Sequence, residues 1–112
     1  MARHEFGIID EISKSLNEYE KNYDPEKYNC ISVDDEFIEP LIKEFNEVDT
    51  YFHNLLRPEK GLAYCGITLI PPTSLAKFKL VIDRSDLPEM KVLSQKIEKA
   101  MNENKFMIHY GL

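Results

Sequence analysis

The stretch from Gly61 to Phe78, GLAYCGITLIPPTSLAKF, limits the fold more than any other part of the chain. Its apolar run stops at Pro71-Pro72 and passes into a segment that opens with Thr73 and Ser74, which is the pattern of a buried strand feeding a capped helix. A strand that is apolar at nearly every position needs cover on both faces. The chain is therefore expected to be a packed α/β or α+β domain, and its 112 residues suit one core rather than two.

The rest of the pattern supplies partners for that strand. His4 to Ile9 reads as a first strand with His4, Phe6 and Ile8 on one face and Glu5, Gly7 and Ile9 on the other. Residues Ile12, Leu16, Tyr19 and Tyr23 recur at helical spacing before the Asp24-Pro25 turn, with an ordered loop as the alternative to a helix. Asn29 to Val33 is a second strand. Phe37, Ile38, Leu41, Ile42, Phe45, Val48, Phe52 and Leu55 then form the longest apolar stripe, which predicts one long helix closed by Arg57 to Gly61. A central strand over 62–70 follows. The next expected elements are a short helix with Leu75, Phe78, Val81 and Ile82 facing inward and a last helix opened by the capping box Asp86-Leu87-Pro88-Glu89. Phe106 to Tyr110 alternates as a final strand. Strands separated by helices favour crossovers and partly parallel pairing. The expectation is one domain over residues 1–112, with about four strands in a mixed sheet covered by three to four helices.

Composition narrows the classes of function. With 43% hydrophobic and 30% charged residues, neither disorder nor a membrane protein is indicated. The start, MARHEFGIID, has no signal-peptide core, so a cytoplasmic protein with Cys30 and Cys65 as reduced, buried thiols is expected. Residues 1–50 carry 14 acidic against 5 basic side chains, a net of −9, while residues 51–112 carry a net of +3. An acidic half argues against nucleic acid as the main ligand, because affinity for phosphates comes from clustered Lys and Arg.

No motif for catalysis, nucleotide binding or a cofactor occurs. There is no GxGxxG, phosphate loop, CxxC, HxxxH or nucleophile elbow, and no cofactor is expected. The acidic run Asp34, Asp35, Glu36 and Glu39, placed where a strand ends, is the best candidate for a binding surface, although carboxylates in a first helical turn are also stabilised by the helix dipole without any ligand. Tyr19 and Tyr23 add contact area with polar tips in the same acidic half. His53 falls on the polar side of its predicted helix. His4 and His109 lie near strand ends and become neighbours only if the terminal strands pair.

Compactness, acidity and lack of catalytic motifs are similar to those of bacterial immunity proteins that neutralise basic nuclease toxins, a likeness of general properties that covers no specific motif. The leading expectation is thus a non-catalytic interaction module whose acidic N-terminal half engages a basic protein. One alternative is an enzyme in which Asp34, Asp35 and Glu36 hold a divalent metal, with His4 or His109 as acid or base. Another is a homo-oligomer joined through a terminal strand lying at a sheet edge.

Overall fold

The computed structural model describes residues 2–11 and 23–112. It is an α+β fold built on a six-stranded sheet: β1 (Arg3–Ile9), β2 (Ile31–Asp34), β3 (Asp49–Phe52), β4 (Pro58–Lys60), β5 (Ile67–Ile70) and β6 (Phe106–Tyr110). The strand order is β2-β1-β6-β5-β3-β4, and each neighbouring pair is antiparallel. The helices are α1 (Asp35–Ile38) and α2 (Ile42–Phe45), separated by a 3-10 turn at Glu39–Leu41, then α3 (Leu75–Ile82) and α4 (Pro88–Asn102).

Two expectations are corrected here. The long helix ends after Phe45, and its second half is the hairpin formed by β3 and β4, which raises the strand count from four to six. Pro40 lacks the amide hydrogen that an uninterrupted helix needs, and the backbone tightens to 3-10 geometry around it. Beyond Phe45 the sequence Asp49-Thr50-Tyr51-Phe52 is β-branched and aromatic, and its hydrogen bonds are made across to β5 and β4. The spacing of Val48 and Phe52 satisfies a helical stripe. Val48 and Thr50, both buried, also satisfy a period of two, and the open edge of β5 decided between them.

The pairing is antiparallel instead of partly parallel because two helices, not one, link β5 to β6. A strand, two helices and a strand take the chain out, back, out and back, so the last strand returns against the first. The terminal strands consequently pair with each other inside the sheet, and the edges are β2 and β4. Neither terminal strand lies at a sheet edge, contrary to the expectation. β4 is short, opens with Pro58 and is exposed along its length, features that blunt strand addition.

The helices cover one face of the sheet. Phe6, Phe45, Ile70, Phe78, Leu93 and Met107 anchor the main core there, each 1% exposed or less. The inward stripe of α3 is the expected one, and Met90, Leu93 and Ile97 of α4 are buried as expected. The capping box is not formed: Leu87 occupies the position before α4, with no side-chain cap, and Pro88 begins the helix. Ile9, Tyr28, Leu69, Ile108 and Tyr110 make a smaller cluster on the opposite face. The central strand is shorter than its apolar run, because the chain turns at 63–66, where the Gly66 amide donates to the Ala63 carbonyl at 3.1 Å. The helix expected around Ile12, Leu16 and Tyr19 lies outside the described residues.

Candidate functional site

Strand parity places His4 of β1, His109 of β6 and Thr68 of β5 on the helix-covered face, among Phe6, Met107 and Ile70. Thr68 stands opposite His109, which stands opposite Phe6, so His4 is one diagonal step away, within reach of an imidazole. All three residues are fully buried. A polar group in such a place costs several kcal/mol unless it is hydrogen-bonded, on the order of 1–3 for each orphaned atom.

These groups satisfy one another in a single chain. His109 Nε2 and His4 Nδ1 are 2.8 Å apart, and His4 Nε2 lies 2.8 Å from Asp35 Oδ1. The Tyr64 hydroxyl donates to both Asp35 oxygens at 2.6 Å. At the other end His109 Nδ1 is 3.2 Å from Thr68 Oγ1, and that oxygen accepts the Ala63 amide at 2.8 Å.

An ionised Asp35 orients every proton in the series. Its carboxylate can only accept, so His4 carries hydrogen on Nε2 and leaves Nδ1 as an acceptor. His109 must then donate from Nε2, its Nδ1 accepts the Thr68 hydroxyl, and Thr68 accepts from Ala63. In this arrangement each of the three links holds one proton.

The electrostatics agree with that arrangement. Burial, with the His4 ring beside it, holds His109 well below the usual histidine value of 6.5. The hydrogen bond from Tyr64, and then that from His4, keeps Asp35 below the ordinary carboxylate value. The same bond pushes Tyr64 up to about 12. Asp35 is thus a fixed anion, clamped from two sides at the start of α1.

Asp35 also opens to solvent. With Ala2, Asp34, Glu36 and Glu39 it lines a recess of about 330 Å³. Asp34 pairs with Arg3 Nε at 3.0 Å. Glu36 and Glu39 are exposed, and among the described residues no Lys or Arg forms an ion pair with either. Asp35 and Glu36 stand in the first turn of α1, while Asp34 precedes it without capping it; the Asp35 amide donates instead to the Ala2 carbonyl at 3.0 Å.

Of the residues singled out in the sequence, Asp34, Asp35, Glu36 and Glu39 therefore come together. Tyr23 does not join them. Its ring meets Tyr110 edge-on at 4.9 Å and its hydroxyl donates to Glu5, both of which belong to the sheet face away from the histidines. Tyr19 lies outside the described residues.

The three carboxylates Asp34, Asp35 and Glu36 do not converge on one point. Asp34 is turned to Arg3 and Asp35 to Tyr64 and His4, and no three His, Cys, Asp or Glu side chains among the described residues are placed to hold an ion. His53 is not on a helix; it follows β3 with φ +68° and its amide bonds the Ile67 carbonyl at 2.8 Å. Cys65 is exposed in the turn before β5, not buried as expected. Cys30 is half-buried, and burial pushes its thiol up to about 12; neither cysteine is in a disulfide.

Tyr64 and Thr68 were not singled out in the sequence. Thr68 carried a signal in its inward parity within ITLI, where a polar side chain must find a buried partner. Tyr64 carried none, since it sits in a turn whose direction only the fold sets. No family model matches this chain, nor does any curated protein or solved structure.

Proposed function

We propose that this protein is a non-catalytic interaction module whose acidic recess receives a cationic side chain of a basic protein partner. The observation that carries the reading is the recess itself: four carboxylates share one opening, one of them is rigidly held, and Glu36 and Glu39 have no cationic partner of their own among the described residues. A guanidinium suits such a place, because it delivers several donors in a fixed plane to carboxylate oxygens. Holding Asp35 in advance lowers the ordering cost that binding must overcome. The net charge of −9 over residues 1–50 adds a long-range field that draws a basic protein in and weakens with salt.

The chemistry on view also favours binding over catalysis. The His4–His109–Asp35 series has the bonding of a relay, yet its far end stops at the Thr68 hydroxyl, which is fully buried and already accepts the Ala63 amide, so among the described residues the series reaches no solvent-exposed nucleophile.

The test is calorimetric titration with a hexa-arginine peptide at low and moderate salt. Saturable, salt-sensitive binding that disappears in a Glu36→Lys, Glu39→Lys double variant is the expected result. Binding that survives the double reversal at full strength would remove the recess from consideration. Circular dichroism of the variant shows whether the fold is retained, as both side chains are exposed.

A further inference from the structure

We infer that the groove between the β3–β4 hairpin and the start of α3 binds a short zwitterionic peptide, whose carboxylate meets the Ser74 hydroxyl and the Lys77 ammonium and whose cationic end faces Glu59. The groove lies at the β4 edge of the sheet, opposite the β2 edge that carries the acidic recess, so the inference stands apart from that reading.

The groove follows from the prolines that end β5. β3 pairs with β5 at Tyr51–Leu69 and Phe52–Thr68, and in the same register Asp49 falls opposite Pro71, which has no amide to offer. The chain turns there into α3 and leaves a hollow of about 860 Å³ between the hairpin and the helix, a size typical of sites for small organic ligands. Ser74 is the residue that points to a ligand. It stands immediately before α3, where a serine ordinarily caps the helix by accepting an amide of the first turn, yet its backbone is already helical, at φ −100° and ψ −9°, and its side chain makes no cap. It is 6% exposed, and its hydroxyl has no hydrogen-bond partner among the described residues. The part left open lines the groove, and since no side-chain oxygen among the described residues is both sealed from solvent and unpartnered, that opening is the hydroxyl. A hydroxyl set in a nearly closed wall, with nothing inside to bond, is a ready donor to whatever fills the groove.

The charges around it set the class of ligand. Lys77 lies three residues on, at the spacing that shares a helix side with Ser74, and lines the same groove. It is a cation in the first turn of α3, where the helix dipole favours an anion, and that turn has no acidic residue. Among the described residues Lys77 forms no ion pair. Its charge reaches the hairpin: Asp49, held below the ordinary carboxylate value first by its hydrogen bond with Lys60, is lowered further by Lys77. A carboxylate placed between Ser74 and Lys77 answers both the lysine and the positive end of the helix. The other wall disfavours a simple polyanion. Asp49 is paired with Lys60, but Glu59 lines the groove with no cationic partner among the described residues. A multiply charged phosphate would be repelled by that carboxylate, whereas a peptide brings an ammonium for it along with its own carboxylate.

The experiment is an NMR titration of the intact, isotope-labelled protein with tri-alanine, its C-terminal amide and its N-acetylated form. Saturable shifts at the Ser74, Lys77 and Glu59 amides with tri-alanine are expected, with a Kd of about 1 mM or tighter. The amide lacks the carboxylate and the acetylated form lacks the ammonium, and each should bind about tenfold more weakly. Ser74→Ala should weaken tri-alanine by about the same factor while leaving the urea midpoint unchanged, because the hydroxyl bonds nothing inside the fold. A fall in that midpoint would give the hydroxyl a structural task and overturn the inference. Lys77→Gln, at an exposed position, should also bind about tenfold more weakly and gives the answer if Ser74→Ala does not fold. No saturable shift with any of the peptides, shifts gathered elsewhere on the surface, or tri-alanine bound undiminished by both variants would overturn the inference, as would an amide or acetylated peptide bound as tightly as tri-alanine. The acidic recess is untouched by any of these outcomes.

Discussion

Acidifying the solution from about pH 6.5 to pH 5 should cost the fold about 2 kcal/mol through His109 alone. In the unfolded chain this histidine titrates near the ordinary value of 6.5, whereas in the folded protein burial and the His4 ring hold it well below that. Between the two values the unfolded state carries a proton on His109 that the folded state does not. Stability is therefore complete above pH 6.5 and falls as pH drops through that point, with a slope of about 1.4 kcal/mol per pH unit for one proton. A domain of ordinary stability has only about 5–15 kcal/mol to lose. Asp35, held low by Tyr64 and His4, acts in the same direction, but its contribution is present above the ordinary carboxylate value of 3.8 and is lost only as pH falls through its lowered folded value. The window from pH 6.5 to 5 thus separates histidine titration from that of Asp35. Urea unfolding at half-unit pH steps measures it, and His109→Gln should flatten the slope if that variant folds. A free energy that stays level between pH 7 and pH 5 would refute the reasoning, because it would mean that His109 charges without leaving its place.

Thr68→Val keeps the shape and removes the hydroxyl, leaving the Ala63 amide and His109 Nδ1 without their shared partner. A loss of about 1–3 kcal/mol in urea unfolding is expected, and a neutral result would mean that water enters to replace it. Asp35→Ala removes the acceptor of the buried His4 Nε2 hydrogen and should cost a similar amount, about 1–3 kcal/mol, while Asp35→Asn, which retains an acceptor, should cost less; the two denaturation midpoints decide. Gly111→Ala should destabilise by about 1–3 kcal/mol, since its new Cβ would sit 2.3 Å from the Tyr64 carbonyl oxygen and 2.7 Å from that of Ala63, both backbone atoms. Because that shift moves Tyr64, the tyrosine titration followed by ultraviolet absorbance should also fall back from about 12 toward the ordinary value.

Much of the fold is local physics and could be read directly. The parity of β1 and β6, the inward faces of α3 and α4 and the stop at Pro71-Pro72 follow from periods of two and 3.6 and from the missing amide of proline. The acidic grouping of Asp34, Asp35, Glu36 and Glu39 was also legible, because those residues are neighbours in the chain and stay so at the end of β2 and the start of α1.

The long-range decisions were made elsewhere. Phe45, Val48 and Phe52 fit a helix as spacing, yet the residues after Phe45 form strands, because the unpaired edge of β5 offered their backbone groups partners that a helix interrupted at Pro40 could not match. His4 and His109 are 105 positions apart, and nothing local says that they share a hydrogen bond. The sequence by itself determined which side of each terminal strand faces the core; only the pairing of β6 with both β1 and β5, and the turn that aims Tyr64 at Asp35, decided that those inward polar side chains would meet. The physical reason is that burial is a property of each strand's own pattern, while the satisfaction of a buried polar atom depends on whatever the rest of the chain brings within 3 Å of it.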